Sequence, residues 1–327
     1  VVKALSNVAF KVDDDVVLAL SARLKDSNIW VRHTAVLALA KMMEQGDDRA
    51  LIAIIQLEDQ EVVVRRTVVD ALAKLMAKGD ERCFAAVSTY LEDPDFSVRE
   101  LAVRAFGNLA DAGREFSGLS RIISILGTRL DDPHPWVRRA AVDALAKAME
   151  LGDEHAVTLV SAQIHDEDAG VRCAVVIALA RLMEKRCEGN IATGDAHLRK
   201  LGGGTPAYTD DTELVMKLST CLEDPNLWVR QAVVDALAKL IENCDERAIS
   251  AVSAFLQHDN AGVRHTAVDA LAKSIEQGDQ RSIIAVSELL NDQDEEVRYA
   301  VREALAGYEV WGDAMGYIKR LRGSLAS

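Results

Sequence analysis

A twelve-residue phrase dominates this chain, because it recurs at nearly regular intervals along the whole sequence. It is spelled WVRHTAVLALAK from Trp30, WVRRAAVDALAK from Trp136 and WVRQAVVDALAK from Trp228, with five looser copies elsewhere. The Val-Arg pairs that mark the eight copies are separated by 33, 34, 39, 34, 58, 34 and 34 residues. Periods of this size are typical of solenoids, in which each unit buries its apolar face only against its neighbours. The sequence therefore predicts a repeat protein.

The composition is typical of a soluble helical chain and makes one class of partner unfavourable. Hydrophobic residues make up 49% of the 327 residues, charged residues 28%, and there are only five prolines. The net charge of −14 opposes binding to phosphate backbones, so nucleic acid is a disfavoured partner. No apolar run reaches the roughly 18 residues of a membrane span, and no secretory leader precedes the repeats.

The cysteines predict free thiols. Cys83, Cys173, Cys187, Cys221 and Cys244 lie far apart, without a C-x-x-C pair or the spacing of metal ligands. Such usage is typical of a reducing compartment. We therefore expect an intracellular soluble protein, in the cytoplasm or an organelle interior, that holds no cofactor and no metal.

One repeat can be divided into two helices, A and B. Gly46 and Asp47 provide the end of one helix and the cap of the next, helix A runs to Leu57, and helix B covers 61–77. Gly-Asp pairs recur at Gly79, Gly152, Gly278 and Gly312. We expect a single domain over 1–327, with a truncated repeat at 1–12, eight repeats over about 13–308 and a C-terminal cap at 309–327.

An Asp in the turn between helices A and B precedes an Arg of helix B by six positions in seven of the eight repeats. The pairs are Asp26/Arg32, Asp59/Arg65, Asp93/Arg99, Asp132/Arg138, Asp166/Arg172, Asp224/Arg230 and Asp292/Arg298. In this feature the chain resembles HEAT repeats, specifically the short phycobilisome-lyase type. The resemblance implies a right-handed, all-α solenoid in which these residues link successive repeats through a hydrogen-bonded ladder. His258 replaces the Asp in the seventh repeat, so the ladder at Arg264 is expected to be broken, shifted by one residue or pH-sensitive.

Helical periodicity leaves only a narrow stripe of helix B for solvent. In the first repeat this stripe is Trp30, His33, Leu37, Lys41 and Glu44, at spacings of three and four residues. In HEAT-like solenoids the B helices line the concave surface, so we expect a partner to contact this stripe. The candidate binding residues are Trp30, His33, Arg66, Arg104, Trp136, Arg139, Arg181, Trp228, Gln231, His265 and Tyr299. Asp-Lys pairs four residues apart, such as Asp70/Lys74, predict exposed ion pairs along it.

Trp30, Trp136 and Trp228 occupy the same position in repeats one, four and six. An exposed indole can anchor a protein interface with about 2 kcal/mol or more. The alternative is that each ring covers its own A–B turn and packs on the adjacent repeat. Both interpretations remain open at this level.

The 58-residue step predicts an irregular insertion at about 185–208, ending in Gly202, Gly203, Gly204, Thr205 and Pro206. The triple glycine is not a phosphate loop, because no strand precedes it and no Gly-Lys-Ser/Thr follows it. A second insertion of five residues lies near 111–118. The chain starts inside a B-like segment, which implies an upstream segment in a longer protein.

No catalytic motif stands out. Deoxyhypusine hydroxylases, which are built of similar hairpins, carry His-Glu dipeptides that are absent here, and no HExxH or nucleophile elbow occurs. A mixed charge argues against a HEAT-like DNA glycosylase. We therefore expect a noncatalytic scaffold that presents helix B to a protein or peptide. The alternative is a bilin lyase or another chromophore-handling protein, with a tetrapyrrole stacked on Trp136 or Trp228 and paired with Arg139 or Arg181.

Overall fold

The computed structural model describes residues 14–111, 118–192, 208–242 and 246–309. The truncated repeat expected at 1–12, the insertion near 111–118 for most of its length, the glycines 202–204 and nearly all of the expected cap lie outside these ranges.

The described residues form α-helices joined by short turns, and no strand occurs among them. The A helices are α1 (Asp14–Arg23), α3 (Asp48–Ile55), α5 (Glu81–Thr89), α7 (Leu119–Gly127), α9 (Glu154–Ala162), α11 (Tyr208–Thr220), α13 (Glu246–Ser253) and α15 (Gln280–Ser287). The B helices are α2 (Ile29–Glu44), α4 (Val62–Met76), α6 (Phe96–Asp111), α8 (Pro135–Glu150), α10 (Ala169–Ala192), α12 (Leu227–Glu242), α14 (Ala261–Glu276) and α16 (Glu295–Glu309).

Glycine and aspartate separate one hairpin from the next. Gly46 has φ +97° and Gly79 has φ +90°, a left-handed conformation that lets the chain leave helix B without the strain of a Cβ. The following residue then caps the next helix A, as when the Asp47 carboxylate accepts hydrogen bonds from the backbone N–H groups of Arg49 and Ala50. The hairpin boundaries predicted at Gly46, Gly79, Gly152 and Gly278 are confirmed within one or two residues, and Gly312 lies outside the described residues.

The chain divides into two compact units, Val1–Ala156 and Val157–Ser327. In unit 1, helices α2, α4, α6 and α8 pack side by side in chain order, and in unit 2 helices α10, α12, α14 and α16 do the same. Such stacked hairpins are the arrangement of an α-solenoid, so the predicted fold class is confirmed. The boundary falls inside α9, where the sequence predicted one continuous domain.

Small and branched apolar residues fill the space between neighbouring B helices. Val36, Leu39 and Met43 of α2 are buried. At one point the backbones approach closely, because a Cβ added at Gly107 of α6 would lie 2.7 Å from the Cβ of Ala144 in α8. Each B helix therefore buries two sides and exposes one stripe.

The prediction of an irregular insertion from 185 onwards is wrong for its first part, because α10 continues to Ala192. The reason is local. Where other repeats have a helix-ending glycine such as Gly152, this repeat has Arg186, and Lys185, Arg186 and Glu188 are good helix formers. The remaining insertion residues, up to the start of α11 at Tyr208, lie outside the described ranges.

Candidate binding surface on the B helices

A ladder of Arg-Asp pairs connects B helices to the hairpins that follow them. Arg32 donates from Nε and Nη2 to the two carboxylate oxygens of Asp59 in the next repeat, at 2.6 and 3.0 Å. Its Nη1 donates to the backbone carbonyl of Asp26 in its own repeat at 2.9 Å. One guanidinium therefore ties two consecutive A–B turns together.

The same bidentate geometry recurs in both units. The further pairs are Arg65–Asp93, Arg99–Asp132, Arg172–Asp224 and Arg264–Asp292, with donor–acceptor distances from 2.6 to 2.9 Å. Paired carboxylates and guanidinium groups of this geometry form strong charge-assisted hydrogen bonds. In these rungs each Arg takes a backbone carbonyl of its own A–B turn, from an Asp or, for Arg264, from His258, and the carboxylate of the next Asp.

Arg138 and Arg298 correct the pairing that the sequence spacing suggested. The Nη1 group of Arg138 donates to the backbone carbonyl of Asp132 at 3.0 Å, and that of Arg298 donates to the carbonyl of Asp292 at 2.7 Å. The carboxylates of the same two aspartates are taken by Arg99 and Arg264 of the preceding repeats. The side-chain pairs therefore join Arg99 to Asp132 and Arg264 to Asp292, between successive repeats, and not the Asp and Arg that are six positions apart within one repeat. The reason is geometric, because the aspartate side chain points towards the repeat before it while its carbonyl faces its own helix B.

The irregular rung lies at Arg230, and the expectation that it lies at Arg264 is wrong. Arg264 pairs normally with Asp292 and with the carbonyls of His258 and Asp259. Arg230 keeps the carbonyls of Asp224 and Pro225, but its buried Nε has no hydrogen-bond partner. The reason is the direction of the ladder, because a missing Asp affects the Arg of the preceding repeat.

His258 performs only part of the role of the aspartate that it replaces. Its Nδ1 accepts the backbone N–H of Asn260 at 3.0 Å, as Asp224 does for Asn226 at 2.8 Å. Its Nε2 lies 3.4 Å from a carboxylate oxygen of Glu223. The imidazole therefore preserves the turn but supplies no carboxylate to Arg230.

Four ladder carboxylates, Asp59, Asp132, Asp224 and Asp292, have lowered pKa values. For Asp132, burial raises the pKa, but the hydrogen bonds from Arg99 and from the His134 backbone N–H outweigh this, so the pKa is lowered. For Asp292, the hydrogen bond from Arg264 lowers the pKa. These four carboxylates are therefore charged near neutral pH.

The exposed positions of the B helices form what we call the B stripe, four residues per helix that are exposed or half-buried. Its members are Trp30, His33, Leu37 and Lys41 on α2; Val63, Arg66, Asp70 and Lys74 on α4; Ser97, Glu100, Arg104 and Asn108 on α6; Trp136, Arg139, Asp143 and Lys147 on α8; Gly170, Cys173, Ile177 and Arg181 on α10; Trp228, Gln231, Asp235 and Lys239 on α12; Gly262, His265, Asp269 and Lys273 on α14; and Glu296, Tyr299, Glu303 and Gly307 on α16. Gly307 is the one member of the stripe whose exposure is not described.

The three tryptophans of the B stripe are exposed rather than covered by adjacent repeats. Trp30 exposes 64% of its surface, Trp136 53% and Trp228 76%. The Trp30 ring meets the edge of His33 with centroids 5.9 Å apart, and the Arg139 guanidinium lies 5.9 Å from the centre of the Trp136 ring. Both contacts are within the stripe, so the indoles present most of their faces to solvent.

Lysines at the far end of the stripe reach back to the preceding repeat. Lys74 lies 3.5 Å from Glu44 and 3.7 Å from Asp70. Lys239 lies 2.9 Å from Glu184. The predicted Asp-Lys spacing is thus present, but the shorter contacts of these two lysines cross between helices.

Sequence spacing did not reveal a cleft of about 440 Å³ between α14 and α16. It is lined by His265, Asp269, Glu276, Tyr299 and Glu303 over a floor of alanine and isoleucine. His265 Nδ1 lies 3.1 Å from Asp269. Burial raises the Asp269 pKa, and the charge of Glu303 raises it further, against the opposing effect of His265. Two candidate residues, His265 and Tyr299, therefore share an acidic cleft.

Among the described residues, no group of His, Cys, Asp and Glu could hold a metal ion. Cys83 and Cys221 are buried free thiols, and burial raises the pKa of each to about 11. A thiol with such a pKa is a poor nucleophile at neutral pH. Among the helices of the described ranges, none has the length and apolar character required to cross a membrane.

Comparisons with known proteins agree with this geometry. The family model of HEAT repeats matches residues 123–188 and 215–306. These stretches are HEAT repeats. A second family model, of the sister chromatid cohesion protein PDS5, matches residues 2–151. Neither model is of the phycobilisome-lyase type, so only the broader resemblance is supported. No curated protein matches the chain.

Solved structures share the fold at low sequence identity. The Kap95:Nup1 complex matches with a TM-score of 0.65 and 15% identity over 93% of this chain and 41% of the other. Yeast importin-beta, Kap95p, matches with a TM-score of 0.64 and 16% identity over 93% and 42%. This chain spans about two fifths of the length of the proteins in these structures, and identities this low establish the fold alone.

Proposed function

We propose that this HEAT-repeat chain is a noncatalytic scaffold that binds a protein or peptide along the B stripe. The observation that carries the proposal is the exposure of Trp30, Trp136 and Trp228 at one repeated helix position. Each indole stands two residues after the cap of its helix, and its backbone N–H donates to the side chain of Asn28, His134 or Asn226. The position of each ring on its helix is therefore fixed before any partner arrives.

Contact between an indole and water is unfavourable, so a partner that covers the ring gains free energy on binding. An aromatic side chain buries about 150–250 Å² when it is covered, and burial contributes about 25 cal/mol per Å². Tryptophan is accordingly enriched among the residues that dominate interface energies. The ladder adds preorganisation, because helices held by bidentate pairs lose little conformational freedom on binding.

The fold supports this proposal in a general way. One of the solved structures that share it is named as a complex of two proteins, Kap95 and Nup1. A stack of hairpins exposes one stripe per repeat, which makes a long surface suited to an extended partner. The thiols of Cys83 and Cys221, whose pKa values burial raises to about 11, are poor nucleophiles for pigment transfer.

The test begins with purification of the chain from its native source, with mass spectrometry of bound proteins and an absorbance spectrum. A stoichiometric, colourless protein partner is the expected result. A bound chromophore without a protein partner would overturn the proposal in favour of the pigment-handling alternative.

The second step measures the affinity of that partner for variants of the chain. Trp136→Ala and Trp228→Ala should each weaken binding by about thirtyfold, the equivalent of roughly 2 kcal/mol. Ile52→Ala and Met216→Ala are matched controls, because both residues are exposed apolar side chains on A helices. Unchanged affinity for both tryptophan variants would sink the proposal.

A further inference from the structure

The B stripe of unit 1 carries more positive than negative charge, although the chain as a whole has a net charge of −14. Its cations are Lys41, Arg66, Lys74, Arg104, Arg139 and Lys147, and its carboxylates are Asp70, Glu100 and Asp143. Glu44, just beyond the stripe, lies 3.5 Å from Lys74. A positively charged stripe on a negatively charged chain favours recognition of an oppositely charged partner over a role in solubility.

Three of these cations have no carboxylate partner among the described residues. Lys41 and Arg66 form no ion pair there, and Arg139 contacts only the ring of Trp136. The carboxylates, in contrast, are engaged: Glu100 lies 2.8 Å from Arg104 and Asp70 lies 3.7 Å from Lys74. The uncompensated charge of this stripe is therefore positive.

The four stripe positions form four rows across helices α2, α4, α6 and α8. The first row begins and ends with a tryptophan and is formed by Trp30, Val63, Ser97 and Trp136. The second row, one turn along each helix, is formed by His33, Arg66, Glu100 and Arg139, the third by Leu37, Asp70, Arg104 and Asp143, and the last by Lys41, Lys74, Asn108 and Lys147. A chain crossing the helices would thus meet a largely apolar first row beside a second row that carries two arginines and one glutamate.

The dimensions fit a short extended segment. Packed helices are spaced by about 8–10 Å, so the three spacings from Trp30 to Trp136 cover about 24–30 Å. An extended chain advances about 3.3 Å per residue, so roughly eight or nine residues cover that distance. Trp30 and Trp136 then lie at the two ends of such a segment.

We propose that the unit 1 B stripe binds an extended acidic segment of a partner protein. Apolar side chains near the two ends of that segment pack on Trp30 and Trp136, and its carboxylates face Arg66 and Arg139. This inference rests on the proposed function and adds the chemistry of the partner. A protein segment fits better than nucleic acid, because the stripe also holds Asp70, Glu100 and Asp143, which repel a continuous run of phosphates.

The unit 2 stripe provides the matched comparison within one chain. It has the cations Arg181, Lys239 and Lys273, and the carboxylates Asp235, Asp269, Glu296 and Glu303. Lys239 and Lys273 are each paired with a glutamate, at 2.9 and 3.1 Å. An acidic segment should therefore prefer unit 1.

The test uses the full chain and fluorescein-labelled peptides of about nine residues, which is the length estimated above. One peptide has glutamates between a leucine near each end, a second replaces every glutamate by lysine, and a single-stranded oligonucleotide of similar length is the third probe. Fluorescence anisotropy should show binding of the acidic peptide that weakens with salt. Preferred binding of the lysine peptide or of the oligonucleotide would overturn the inference.

Charge reversal then locates the site. The double variant Arg66→Glu/Arg139→Glu should lower the affinity for the acidic peptide by about tenfold or more, and Arg181→Glu/Lys273→Glu should change it by about twofold or less. All four side chains lie on the surface, and circular dichroism checks that both variants remain folded. Equal losses in the two variants would contradict the assignment to unit 1.

The native partner separates this inference from the proposed function. A partner that is weakened by Trp136→Ala but is insensitive to Arg66→Glu/Arg139→Glu would leave the scaffold proposal standing and refute the acidic chemistry. Insensitivity to both changes would refute the proposed function as well.

Discussion

Units 1 and 2 are built of the same kind of hairpin and have the same stripe positions, yet they present different surfaces. Both carry exposed tryptophans, but unit 1 has uncompensated cations such as Arg66, whereas unit 2 has a cleft lined by Asp269, Glu276 and Glu303. The buried positions have to satisfy packing and hydrogen bonding in every repeat, so they hardly vary. Exposed positions are free of that constraint and can differ between units that share a fold.

The ladder differs between the units as well. In unit 1, Arg99 meets the carboxylate of Asp132 at 2.8 Å through both Nε and Nη2. In unit 2, the corresponding Nε of Arg230 is buried without a partner, because His258 occupies the aspartate position. One substitution thus removes a side-chain link between consecutive hairpins and leaves both hairpins folded.

Acidification should have the largest effect on stability, because it acts on four ladder carboxylates at once. The pKa values of Asp59, Asp132, Asp224 and Asp292 are lowered in the folded chain from an ordinary value of 3.8. Their stabilisation is therefore present above pH 3.8 and is lost as the pH falls through the lower folded values. Thermal unfolding followed from pH 7 to pH 2 should show a steep loss below about pH 4.

The variant Asp132→Asn is the control for this acid effect, since it removes one titrating carboxylate and keeps a turn-forming side chain. Its unfolding temperature should depend less on pH than that of the natural chain. The same pH dependence in both proteins would contradict the assignment to the ladder.

Removal of a single rung from unit 1 should have the second-largest effect on stability. Asp132→Ala leaves the Arg99 guanidinium without its carboxylate, and breaking a buried ion pair in this way costs about 3–5 kcal/mol. Unfolding in urea measures the loss. Asp70→Ala is the matched control, because Asp70 is exposed and its pair with Lys74 is worth about 0.5 kcal/mol or less. Similar losses for the two variants would show that the rung carries no special stability.

Restoration of the irregular rung should raise the free energy of unfolding, by less than the loss expected for Asp132→Ala. His258→Asp supplies a carboxylate to the Nε of Arg230, and a hydrogen bond to a charged group contributes about 1.5–3 kcal/mol. His258→Asn is the comparison, because it keeps the acceptor for the Asn260 N–H without the charge. The aspartate variant should unfold at a higher urea concentration than the natural chain and the asparagine variant. If it unfolds earlier than both, the irregular rung does not arise from the missing carboxylate.

Local features of the chain could be predicted because their causes are local. Gly46 and Asp47 end one helix and cap the next through residues within a few positions, and helical periodicity alone separates the exposed Leu37 and Lys41 from the buried Val36. The extension of α10 past Arg186 follows from the absence of a glycine at one position, and that signal was present in the sequence.

The sequence by itself determined the repeat period, the hairpins, the residues of the ladder and the positions of the stripe, since each depends on spacing within one hairpin. Only the tertiary structure decided which residues meet. The Asp that receives each Arg lies 27 to 52 residues further along, so the irregular rung moved from Arg264 to Arg230. The exposure of the tryptophans and the cleft beside Tyr299 likewise depend on how neighbouring hairpins pack, and helical periodicity does not encode that packing.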